Sequence, residues 1–88
     1  MRDITWHPAA WGEYQNLLSD RTRVKKLNAL IKDIMRNGYH CSLGKPEKLK
    51  GNLSGYHSVH ITHGERLIFR VTKTDLYILS CTGHYDDH

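Results

Sequence analysis

Two cysteines, two prolines and one phenylalanine are all that this chain of 88 residues holds of those types, and each shortage excludes something. Cys41 and Cys81 stand far apart with no CxxC spacing, which rules out a disulfide-dense scaffold and leaves free thiols as the expectation. No apolar run approaches the length that crosses a bilayer, so no membrane span is expected. The first residues, Met1 to Trp6, lack the apolar core of a secretory leader, and a cytoplasmic protein is expected. Acids are scarce in one stretch only. Between Arg21 and Lys50 nine Lys or Arg face two acids, Asp33 and Glu47, whereas the remainder of the chain is net acidic. A basic block of this kind can follow a phosphate backbone, although solvated helix faces share the pattern.

The length fits one domain, 1–88, with residues 86–88 as a tail. Ile4 and Trp6 alternate with polar neighbours, predicting a short strand before Pro8. Trp11, Tyr14, Leu17 and Leu18 then recur at helical steps and predict a helix over 8–18, with both Trp6 and Trp11 expected in the core. Asp20 offers a cap for a second helix, whose stripe is Val24, Leu27, Leu30, Ile31, Ile34 and Met35. Asn37-Gly38 should end it. The segment 38–55, with its glycines and Pro46, reads as a long ordered loop.

From Tyr56 the period becomes two. Val59-Ile61, Leu67-Phe69-Val71 and Tyr77-Leu79-Cys81 predict an antiparallel meander beneath the helices, an α+β fold. If Ile61 faces Leu67, Val59 faces Phe69, Phe69 faces Leu79 and Leu67 faces Cys81, then Thr62 and Thr82 flank Arg66. His60, Arg66 and His84 gather on the face away from the core, together with Ile68 and Ile78.

These residues can cleave RNA without a metal. A base must take the proton of the 2′-hydroxyl, an acid must protonate the leaving 5′-oxygen, and cations must hold the charge that builds on phosphorus. Glu47 and His84 suit the first two roles, and Arg66 and Lys50 the third. Each also has an ordinary reading. Glu47 sits among Lys45, Lys48 and Lys50, where exposed ion pairs are common, and histidines near a chain end are usually solvated. His57, His60 and His63 are spaced by three, so on a strand His60 would point away from the other two, which argues against a metal site. Cys41 has no activating neighbour in sequence, and a buried or inert thiol is expected.

Gly44-Lys45-Pro46-Glu47, Leu49-Lys50, Asn52-Leu53-Ser54-Gly55-Tyr56, Arg66-Leu67 and His84-Tyr85 together resemble the YoeB/Txe family of the RelE/ParE superfamily. The second helix, from Val24 to Ile34, is similar too. The resemblance implies a RelE-like microbial ribonuclease fold, with two N-terminal helices packed on a twisted antiparallel sheet. It also implies a type II toxin that cuts mRNA in the ribosomal A site without a cofactor, neutralised by an antitoxin of the YefM/Phd type, and able to form a homodimer. Carried over by position, Glu47 becomes the general base, His84 the general acid and Arg66 the phosphate-stabilising arginine. Lys45, Lys50, His60 and Tyr85 become RNA contacts. The family pattern has an arginine where this chain has His60. The alternative is a toxin-fold module that docks on the ribosome or gyrase without cutting.

Overall fold

Each helix starts where its cap dictates. In the computed structural model, which describes residues 2–83, the His7 ring nitrogen accepts from the Ala9 amide at 3.1 Å and Pro8 opens helix α1, Pro8–Leu17. Asp20 accepts from the Arg23 amide at 3.1 Å and starts helix α2, Arg21–Asn37. Gly38, at φ 60, ends α2 in a conformation that favours glycine.

Five strands form, the four that the alternation predicts and one addition. They are β1 (Asp3–Trp6), β2 (Glu47–Lys48), β3 (His57–His60), β4 (Arg66–Val71) and β5 (Asp75–Gly83), in the sheet order β1-β5-β4-β3-β2. The first strand lies parallel to β5 at one edge, and every other pairing is antiparallel. The supposed loop 38–55 therefore contains an edge strand, and it also holds 3-10 turns at Gly38–His40 and Gly51–Leu53.

The core lies between the helices and one face of the sheet. From α2, Leu27, Leu30, Ile31 and Ile34 are buried, with Val24 and Met35 packed at the margin. They meet Val59, Leu67, Phe69, Val71, Leu76 and Ile78 of the sheet. Full burial of such side chains contributes about 1.5–3 kcal/mol each. Helix α1 departs from expectation. It buries Ala10 and Leu17, while Trp11 and Leu18 remain about half exposed. The small Ala10 brings the helix backbone close to β5, where the Cys81 thiol lies 3.5 Å from the Ala10 carbonyl. Trp11, one residue on, is turned to the flank and stacks on Tyr14 beside Trp6 instead of entering the core.

Both hairpin registers differ from those predicted. Val59, not Ile61, faces Leu67, and His60 lies directly opposite Arg66. The cause is a tight turn: the Ile61 amide donates to the Glu65 carbonyl at 2.9 Å, leaving only residues 62–64 to reverse the chain. A slip of two residues preserves which side chains share a face. In the second hairpin the Thr72 amide donates to Asp75 at 2.8 Å, which sets Val71 opposite Leu76 and Phe69 opposite Ile78. That slip is odd, so Ile78 belongs to the core and Leu79 to the other face. Two register shifts between Arg66 and Phe69 then bring Ser80 opposite Ile68 and Gly83, rather than Thr82, opposite Arg66. Glu13 of α1 accommodates the irregularity: one carboxylate oxygen accepts from the Ser80 hydroxyl and from the Cys81 and Thr82 amides. Ile68 is also buried, so neither Ile68 nor Ile78 is an exposed apolar group for a partner.

Candidate active site

The face of the sheet away from the helices carries the candidate residues in rows. His60 is opposite Arg66, and Glu47 is opposite Ser58, which is opposite Ile68. The diagonal between these rows closes with a hydrogen-bonded ion pair, Arg66 Nη1 donating to Glu47 Oε1 at 3.1 Å. The Arg66 side chain is 22% exposed and that of Glu47 56% exposed, so a well-held cation meets a carboxylate open to solvent.

Local chain geometry delivers Glu47 to that place. Asp33, the lone acid of α2, accepts the amides of Ser42 and Leu43 at 2.9 and 3.0 Å and the Asn37 side chain at 2.7 Å. Burial pushes its carboxyl up, but the Leu43 amide, the Asn37 side chain and the Ser42 amide outweigh this and hold it below the usual carboxylate value. Next, Gly44 at φ 74 presses against Leu30, Val59 and the His60 backbone, where a Cβ would come within 3.0 Å of all three. Its carbonyl accepts from the His60 amide at 2.7 Å. Lys45 also has a positive φ, 54, a strained state for a residue with a side chain. After this turn Glu47 joins β3, and the buried Leu49 fixes the exit with its amide donating to Tyr56.

An open cleft of about 790 Å³ adjoins the pair, lined by Lys26, Lys45, His60, Thr62, His63 and Arg66. Its wall is tied to α2 by Arg23, which bonds Asp20 at 2.9 Å and Glu65 at 2.5 Å. Glu65, in turn, receives the Thr62 hydroxyl. The Glu65 bond is the main reason the Arg23 guanidinium holds its proton more tightly than usual.

The sequence-predicted residues fall into three groups. Glu47, Arg66, His60 and Lys45 meet around the cleft. Lys50 is exposed beside the turn Gly51–Leu53, and among the described residues no side-chain hydrogen bond ties it to the Glu47–Arg66 pair. His84 and Tyr85, with the tail 86–88, lie outside the described residues. The positions of Lys26, Asp33, Glu13 and the Arg23–Glu65 pair were not anticipated. For Asp33 a signal existed, since it is the sole acid between two basic turns of one helix.

The thiols and His57 stand apart from the cleft. Burial, followed by the charges of Glu13 and Glu65, pushes the Cys81 thiol up to about 12, and burial with Asp33 raises Cys41. Both are free. His57 turns to the helix side against Tyr39, and burial followed by Lys48 lowers its pKa. Among the described residues, no three His, Cys, Asp or Glu side chains converge to hold a metal ion, and no helix is long and apolar enough to cross a membrane.

This fold and sequence have close counterparts. The family model of the YoeB-like toxin of bacterial type II toxin–antitoxin systems matches residues 6–85. Toxin YoeB of Escherichia coli is 42% identical over 83 residues, 93% of this chain and 98% of that protein. Toxin YoeB of Synechocystis sp. is also 42% identical, over 94% and 91%. Among solved structures, a YoeB dimer from Staphylococcus aureus superposes with a TM-score of 0.88 at 45% identity, covering 96% of this chain and 98% of that one. The toxin in a heterotetrameric YoeB–YefM complex from the same organism gives 0.87 at 44%, covering 97% and 99%. With this family match across nearly its full length, the chain belongs to the YoeB-like toxins of bacterial type II toxin–antitoxin systems.

Proposed function

We propose that this toxin is an endoribonuclease that cuts mRNA in the ribosomal A site by metal-independent acid–base catalysis. The observation that carries the reading is the Glu47–Arg66 contact at the edge of a cleft lined by cations. Glu47 takes the 2′-hydroxyl proton, the 2′-oxygen bonds to phosphorus, and the bond from phosphorus to the 5′-oxygen breaks. His84 returns a proton to that oxygen, leaving a 2′,3′-cyclic phosphate and a free 5′-hydroxyl. Arg66 serves twice. It holds the Glu47 carboxylate in place, and a guanidinium can bond a carboxylate and a phosphate oxygen together, so it also meets the charge that builds in the transition state. Lys45, Lys50, His60 and Tyr85 bind the RNA around the reacting phosphate.

Such a protein acts in the cytoplasm, where message and ribosomes are. By analogy with the Staphylococcus aureus assemblies, it is neutralised by a YefM-like antitoxin and forms a homodimer. The test is to mix purified toxin with ribosomes translating a defined message and to map new 5′ ends. Cuts confined to the A-site codon are expected. Arrested ribosomes with intact message would instead indicate a docking module.

A further inference from the structure

We propose that the open face of the sheet carries a second RNA subsite, a stacking platform for an unpaired nucleobase formed by Tyr56, Arg70 and Tyr77. Arg70 pairs with Tyr77 across β4 and β5, and Tyr77 pairs with Thr5 of β1. Tyr56 immediately precedes β3, whose His57 faces Phe69, so the same register carries Tyr56 to the level of Arg70. The side chains follow that order. The Arg70 guanidinium stands 5.3 Å from the Tyr56 ring centre and 5.5 Å from that of Tyr77, and the two rings are 6.5 Å apart. Arg70 is exposed and both tyrosines are half-buried, so part of the cluster is open to solvent. Beside Tyr77 an open cleft of about 330 Å³ is lined by Thr5, Arg70, Thr72 and Asp75. Planar π surfaces and a guanidinium are what an unstacked base packs against, and the hydroxyls, the guanidinium and the carboxylate offer hydrogen bonds to its edge.

Continuity with the candidate active site identifies the occupant. Arg66 and Arg70 are on one strand and one face, about 13 Å apart at ~3.3 Å per residue, within the span of a few nucleotides. A strand held at Arg66 thus reaches the platform without leaving the sheet. The inference rests on the proposed RNA cleavage, and its test separates the two.

The test measures binding of a fluorescent single-stranded RNA hexamer, and of an abasic ribose-phosphate hexamer, to toxin silenced by Glu47→Gln. Adding Tyr56→Ala, Arg70→Ala or Tyr77→Ala should raise Kd for the base-bearing hexamer roughly five- to a hundredfold, the range for loss of one stacked base. Binding of the abasic hexamer should not change in either tyrosine variant and should weaken less than that of the base-bearing hexamer in Arg70→Ala, and Tyr77→Phe should restore affinity because the π face returns. Ring-proton NMR shifts of Tyr56 and Tyr77 on adding the hexamer provide a readout that needs no variant. Unchanged Kd values, equal losses on both hexamers, or silent tyrosine signals overturn the inference. If the variants lose stacking but the unsilenced toxin cuts no message, the platform stands and the cleavage reading fails.

Discussion

The two faces of the sheet are built on different rules. The helix side is a contiguous apolar cluster in which Phe69, Leu67, Val59, Leu76 and Ile78 are fully buried against α2. The opposite face presents Glu47, His60, Arg66, Arg70 and Tyr77, whose positions depend on which residue sits across from which. Apolar burial tolerates a register slip of two, because the same faces stay together. A site does not, since His60 diagonal to Arg66 and His60 opposite Arg66 are different geometries. Stability on one face and chemistry on the other should therefore respond separately to substitution.

The largest separation is expected at the proposed acid–base residues. Glu47→Ala and His84→Ala should each lower single-turnover cleavage of ribosome-bound message by about two to four orders of magnitude, the usual loss for general catalysis. Glu47→Ala should leave the thermal midpoint nearly unchanged, because it removes only an exposed ion pair. Wild-type rates in both variants would break the assignment. On the opposite face, Phe69→Ala should cost about 3–5 kcal/mol in denaturant unfolding, through lost burial and a cavity. A loss confined to cleavage, with stability intact, would contradict the division.

Asp33 joins the two regions. Asp33→Asn should cost about 1–3 kcal/mol, since a neutral amide bonds the two loop amides more weakly than the carboxylate and sets its own NH2 against the Asn37 donor. It should also slow cleavage by loosening the loop that leads to Glu47. Because the carboxyl is held below its usual value of 3.8, its contribution is complete above that pH and is lost as pH falls through the lowered value. The stability gap between wild type and Asp33→Asn should therefore be flat near neutrality and close in acid. A gap that widened in acid would reverse the sign.

The smallest effect expected is at His60. If His60 helps Arg66 hold the phosphate, His60→Ala should slow single-turnover cleavage by a few-fold to about tenfold, the loss of one hydrogen bond, and His60→Arg should keep the rate because a guanidinium also donates to phosphate. An unchanged rate in His60→Ala would place His60 outside the phosphate site.

How much was legible in the sequence follows the same division. The α2 stripe and its caps were readable because helical period and capping chemistry are local, and Leu27, Leu30, Ile31 and Ile34 face the core as expected. Trp11 was misplaced because size suggested burial, whereas the close approach at Ala10 decided the helix face. The hairpin registers depended on how the 62–64 and 73–74 turns close, and Ile78 was assigned to the wrong face through a slip of one. Glu47 and Arg66 were visible as residue types and through family resemblance. Their contact was not, since it requires β2, a two-residue strand too short to have a period.

The central claim is that the open face directs a ribose 2′-hydroxyl against its own phosphate, and one substitution in the substrate tests it most directly. A defined message on translating ribosomes would carry a single 2′-deoxyribonucleotide immediately 5′ to the mapped cut, compared with the all-ribose message under single-turnover conditions. The account predicts that the all-ribose message is cut to a 2′,3′-cyclic phosphate and that the deoxy-substituted one stays intact at that bond. Cleavage of the deoxy-substituted bond at a comparable rate would show that the 2′-hydroxyl is not the nucleophile and would contradict the roles given to Glu47 and His84.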